Sequence, residues 1–206
     1  MLYAYIRIGI IKMATLEQIK SLRERTGAGI VDVKKALEEA QGDDQKAIDI
    51  LRKRGQEKAM KKSDRVAGEG VIASYIHSNG RVGSIVKLLC ETDFVGRNEE
   101  FKALAQDIAM HITAANPKYL KPEEVPTEIV DKEREIWTAQ LAEENKSTDI
   151  MKTILEGKEK KFREEISLLT QSFIKNPDQT IDELLTEKIS KIGENIQVGE
   201  FSRFEL

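Results

Sequence analysis

The spacing of apolar positions changes character along the chain, and the changes mark its parts. Thr15 followed three residues later by Gln18 forms a capping box, and Leu16, Ile19 and Leu22 recur at helical spacing until Gly27. Ile30, Val33, Ala36, Leu37 and Ala40 make a second helical stripe closed by Gly42. Asp43 is placed to cap a third helix carrying Ala47, Ile48 and Leu51 before Gly55. Three short helices suit a docking module better than a catalytic domain, because so thin a bundle cannot bury a cleft. Residues 56–69 lose the pattern: Lys58, Lys61, Lys62 and Arg65 stand among Gln56, Ser63 and Gly68, which reads as a basic, partly helical linker.

Beyond the linker the period becomes two. Val71–His77 and Val82–Leu89 flank Ser78-Asn79-Gly80-Arg81, and Asn-Gly predicts an antiparallel hairpin because both residues tolerate positive φ. Val82, Val86 and Leu88 point one way and Ile85 and Leu89 the other, so both faces of this sheet need cover. Arg97–Ala115 reads as a helix with Phe101, Leu104, Ala105, Ile108 and Ile112 on one stripe. Pro117, Pro122 and Pro126 punctuate a loop, and Thr127–Ala142 returns to helix. A second long helix is predicted to carry Met151, Ile154, Leu155, Phe162, Ile166, Leu169 and Phe173, with Gly157 as a weak point and Asn176-Pro177-Asp178 as its stop. Thr180 with Glu183 caps a helix to Ile192, and Ile196–Leu206 is extended. Residues 70–206 therefore read as an α+β core whose last strand joins the early hairpin into a three-stranded antiparallel sheet.

Composition narrows the chemistry. Lysine plus arginine (33) nearly balance aspartate plus glutamate (36) over 206 residues, so no global field recruits nucleic acid or an anionic membrane. The basic linker lacks interleaved aromatics for base stacking and reads as a solvated face. A single cysteine, Cys90, excludes an intrachain disulfide, reads as strand-end packing, and fits a reduced, cytoplasmic setting. His77, near the hairpin turn, and His111, beside a helical stripe, have no nucleophile or metal partner in sequence, so no catalytic residue, metal site or cofactor is expected. Residues 1–12 are apolar but lack a basic n-region and a small-residue cleavage site, and are too short to span a bilayer. They read as an extension ahead of a natural start at Met13.

Phe94 departs from this plain picture. It places a large ring between a strand-like run and a helix, flanked by Asp93 and Arg97. Such a ring either folds into its own core or projects to fill a pocket on a partner. The block Glu91–Phe101 resembles the signature segment of the elongation factor Ts family, exchange factors for the translational GTPase elongation factor Tu. Leu22–Gly29, Lys34-Lys35-Ala36-Leu37 and Leu51–Gly55 resemble that family's ubiquitin-associated-like three-helix domain at 13–55. Gly157-Lys158 with Phe162, Phe173-Ile174-Lys175, Gly193–Ile196 and Arg203–Leu206 match later landmarks, so the resemblance covers the chain after residue 12. One departure is Gly96, where the family pattern leads one to expect alanine; if helical, it loosens the turn by up to about 1 kcal/mol. The duplicated core half of long members is also missing.

The resemblance implies a protein-binding function without bond chemistry. Thr92, Asp93, Phe94 and Val95 would form a partner-binding loop that reaches the switch region of elongation factor Tu and disturbs its magnesium and phosphate contacts. Ile30, Val31 and Lys34 match positions that dock on the GTPase; Ile30 lies on the apolar stripe, whereas Val31 lies off it. The short form also implies a homodimer, consistent with a sheet apolar on both faces. No glycine-rich phosphate loop occurs, so the chain itself is not expected to bind nucleotide.

Overall fold

The structure, a computed structural model, describes residues 14–142 and 147–206; the extension read at 1–12 lies outside the described residues. Two compact units are present. One comprises the described residues up to Arg65 together with Thr186–Asn195, and the other comprises Val66–Leu185 with Ile196–Leu206.

In the first unit, helix α1 spans Leu16–Thr26, α2 Ile30–Glu39 and α3 Asp44–Met60. The Thr15–Gln18 capping box forms, and Gly27 ends α1 at φ 64°, a left-handed conformation that glycine enters without a Cβ clash. Gly42, at φ 80°, donates to Leu37 O at 2.8 Å and closes α2. Asp43 caps α3 by accepting from Lys46 N. Ile19, Leu22, Val33, Ala36, Leu37, Ala40, Ala47 and Leu51 form the core of this unit. Ile30 does not join it.

The boundary read at Gly55 moves. Gly55 lies inside α3, which continues through Gln56, Glu57, Lys58 and Ala59, because one glycine costs about 1 kcal/mol of propensity and good helix formers follow it. Residues 61–65, with Lys61, Lys62 and Arg65, are turns and a bend counted with this unit, where the buried Asn195 donates to the carbonyls of Ser63 at 3.3 Å and Arg65 at 2.8 Å.

The second unit is built on the antiparallel sheet β1 (Glu69–Ile76), β2 (Val82–Cys90) and β5 (Gln197–Glu205), with β2 central. The final strand pairs with the early hairpin as the pattern implied. The turn itself differs: Gly80 has φ 64°, but Asn79 is not left-handed. His77 N donates to Val82 O, so four residues, Ser78–Arg81, make the loop, and Asn79 instead uses its side chain to accept from Arg81 N. Ser84, Val86, Leu88 and Cys90 are buried on one sheet face, against which α5 (Glu99–Ala115) packs with Phe101, Leu104, Ala105, Ile108 and Ile112. Hydrogen bonds join the layers: Ser84 Oγ donates to Ala109 O and Thr113 Oγ1 to Ser84 Oγ, both buried, and Arg203 Nε donates to Thr113 O at a half-buried position.

Helices α6 (Thr127–Ala142) and α7 (Thr148–Glu165) pack together through an edge-on contact between Trp137 and Phe162, with ring centroids 5.8 Å apart. Ile166, Leu169 and Phe173, expected on α7, lie beyond it. Lys118 N and Tyr119 N donate to Ile166 O, and Leu168 N donates to Tyr119 O, so pairing with a distant segment draws the backbone out of the helix. A small hairpin, β3 (Ser172–Phe173) and β4 (Asn176–Thr180), follows, and Thr180 and Glu183 close the expected capping box of α8 (Ile181–Ile192).

Candidate functional site

Strand β2 ends at the buried Cys90, and after Glu91 and Thr92 the chain makes a single helical turn, α4 (Asp93–Gly96), before α5. The connector is thus helical rather than irregular. Gly96 N donates to Thr92 O at 3.2 Å and Arg97 N to Asp93 O at 3.0 Å, closing the turn. Asn98, extended at φ −67° and ψ 133°, interrupts it and caps α5 by accepting from Glu100 N at 2.7 Å. For this reason α5 begins at Glu99 and not at Arg97.

Phe94 projects from this turn with 83% of its surface exposed. Of the two readings open for the ring, burial in its own core is eliminated. Thr92 is exposed, and Asp93 and Val95 are half-buried. Arg97 lies 2.9 Å from the Asp93 carboxylate on the same face of the turn, an exposed i,i+4 pair worth a few tenths of a kcal/mol. Together they present an apolar ring beside a paired carboxylate and guanidinium.

In the helical unit, Ile30 and Val31 occupy the first turn of α2 and are 54% and 64% exposed. Lys34 is exposed one turn on, 3.9 Å from Glu38. The stripe drawn from sequence therefore starts at Val33, and Ile30 joins Val31 on an open surface. These three residues and Thr92–Val95 belong to different units.

Other chemistry-bearing residues serve structure. His111 is fully buried; its Nε2 lies 3.0 Å from Gln171 Oε1, and its Nδ1 accepts from Ile174 N. Gln171 Nε2 donates to Glu165 O, which turns its oxygen toward the imidazole and assigns the proton to Nε2. Burial pushes His111 below the ordinary imidazole range, opposed by the Gln171 hydrogen bond. An open cleft of about 1020 Å³ beside α7 mixes Glu156, Glu159 and Asp182 with Lys121, Lys160 and Arg163. Arg163 is already engaged by Glu159 and by the carbonyl of Val125, so the cleft presents no single charge sign to a ligand. Among the described residues no acidic, histidine or cysteine cluster could hold a metal, and no helix is long and apolar enough to cross a membrane.

These elements define a two-unit α+β protein that carries a three-helix module and an exposed aromatic turn. A model of the family described as Elongation factor TS matches residues 14–206. The chain is 55% identical to elongation factor Ts of Carboxydothermus hydrogenoformans over 194 residues, covering 94% of this chain and 89% of that protein. It is 53% identical to elongation factor Ts of Acetivibrio thermocellus, with 94% and 90% covered, and 52% identical to that of Thermodesulfovibrio yellowstonii, with 93% and 96% covered. The chain belongs to the elongation factor Ts family of translation elongation factors.

Proposed function

We propose that this protein is a guanine nucleotide exchange factor for elongation factor Tu, acting in the cytoplasm during translation elongation. The observation that carries this reading is the exposure of Phe94 on a short turn, where solvent contact of a whole aromatic ring is explained by a pocket on a partner. Thr92, Asp93, Phe94 and Val95 enter near the GTPase switch region, and the ring disturbs the contacts that hold magnesium and phosphate. The ion belongs to the partner. Because factor and nucleotide favour different states of the GTPase, each weakens the other reciprocally, and no bond is made or broken by this chain. It binds neither nucleotide nor nucleic acid nor membrane directly.

Magnitudes require more than one ring. Accelerating release about 10⁴-fold needs about 5.5 kcal/mol, whereas burying one Phe supplies about 1.5 to 3. The ubiquitin-associated-like helical module supplies the rest, with Ile30 and Val31 as apolar anchors and Lys34 as a cation; their exposure on one turn of α2 supports this.

A second copy of the chain covers the open face of the sheet. Ile72 and Ile76 on β1, Ile85 on β2 and Phe204 on β5 are exposed there, opposite the face that α5 covers. An apolar sheet face of this kind is explained by a self-complementary homodimer.

Stopped-flow release of labelled GDP from elongation factor Tu tests the exchange reading. Phe94→Ala is expected to slow release by about 10- to 100-fold with the fold intact. An unchanged rate removes Phe94 from the mechanism.

A further inference from the structure

A four-residue helix has too few hydrogen bonds to hold its own shape, so something beyond its sequence must fix the direction in which Phe94 points. We propose that Gly70, Cys90 and Gly96 are positioning residues that seat the Phe94 turn on the sheet; this rests on the exchange reading above. Gly96 is the buried residue of α4. A Cβ built there would lie 3.4 Å from Gly70 O, 3.6 Å from Gly70 Cα and 3.7 Å from Cys90 Sγ, so α4 rests on the backbone of β1 and the thiol ending β2. Gly70 has φ 152°, and a Cβ there would come within 2.1 Å of Leu88 O. No side chain fits at position 70 without parting β1 from β2. On the other side, Cys90 Sγ donates to Thr92 O at 3.2 Å, the same carbonyl that accepts from Gly96 N.

The turn is thereby held at both ends. Its first carbonyl is bonded to the thiol, and its last residue is wedged between that thiol and a strand backbone. Phe94, midway between and 83% exposed, takes its direction from the seat. The three spaces around Gly96 are ordinary van der Waals distances, which admit a methyl group but not the γ-carbons of a branched side chain. Gly96→Ala should keep the geometry, whereas Gly96→Val must lift α4 from Gly70.

The test reads the ring directly as well as the rate. With para-fluorophenylalanine at position 94, fluorine NMR of the full-length protein should give one signal in the parent and in Gly96→Ala, and a shifted or broadened one in Gly96→Val. Gly96→Val should lower the maximal GDP release rate at saturating factor by at least about tenfold, since a misplacement near 1 Å suffices for that, while Gly96→Ala stays within about threefold. The half-saturating concentration should change less than the maximal rate, because Ile30, Val31 and Lys34 are untouched; a purely structural role would lower thermal stability without this split. A parent-like fluorine signal and maximal rate in Gly96→Val overturn the proposal. If Gly96→Val does not fold, Cys90→Ala decides on the same two readings, with a broadened signal and a slower maximal rate expected and parent-like values fatal. If Phe94→Ala leaves exchange unchanged, Phe94 drops out of the exchange mechanism, and the fluorine signal still decides whether the seat orients the ring.

Discussion

Phe94 and His111 show what exposure decides at the scale of one residue. Both stand beside apolar neighbours in sequence, and neither the ring between Asp93 and Val95 nor the imidazole between Met110 and Ile112 reveals its depth. The fold exposes the first and seals the second. The consequence for His111 is a dependence on pH. Its folded value lies below the ordinary 6.5, so the unfolded chain takes up a proton that the folded chain refuses. The stability it contributes is complete above 6.5 and is lost as pH falls through the window below it. Protonation would place an N–H at Nδ1 against the N–H of Ile174, removing a contact between α5 and the β3–β4 hairpin. Melting temperature should fall from pH 7.5 to 5.5, and the fall should be smaller in His111→Gln, although that variant is less stable at the higher pH. An equal fall in both proteins rules out His111 as its source.

At the scale of elements, the capping boxes were reliable signals, and long-range pairings were absent from the sequence pattern. The capping boxes Thr15–Gln18 and Thr180–Glu183 formed where residue spacing placed them, because a cap needs partners only three positions apart. Thr180→Ala should therefore cost about 1 kcal/mol in urea unfolding, through loss of the bond from Glu183 N, and no change in midpoint would contradict that assignment. The end of α7 was not legible. Ile166, Leu169 and Phe173 continue its apolar spacing, yet the backbone of Ile166 and Leu169 pairs with residues 118–120, some fifty positions earlier, and Phe173 pairs with Asn176 in the β3–β4 hairpin. The Asn79-Gly80 turn was legible as a hairpin but not in its type, since the strand pairing sets how many residues the loop must span.

The whole molecule adds consequences that no element carries alone. Pairing of β5 with β2 brings Phe204 beside Gly83 and Ile76 and thereby assembles an apolar face from residues distant in sequence. If a second copy covers that face, sedimentation at micromolar concentration should give a dimer for the parent chain and a monomer for Ile85→Asp, a change at a site already exposed in the single chain. A monomeric parent would leave the face for another partner. If exchange draws on both units as proposed, combining Phe94→Ala with Val31→Ala should lower the exchange rate constant at low factor concentration by about the product of the single effects, because the two side chains belong to separate units. Strong non-additivity would place them in one coupled contact.

By itself the sequence determined the three helices of the first unit, the three strands of the main sheet, the capped ends, the family signature and the identity of the residues worth testing. Periodicity, caps and motifs are written in neighbours a few positions apart, which the chain carries with it whatever its fold. Only the tertiary structure decided that Phe94 and Ile30 face solvent, that α3 runs through Gly55, that α7 stops at Glu165, and that Gly70 and Cys90 lie under the turn. Those outcomes depend on which distant backbone or side chain arrives beside each residue. Burial and close packing are properties of the pair brought together, and neither member of the pair records them alone.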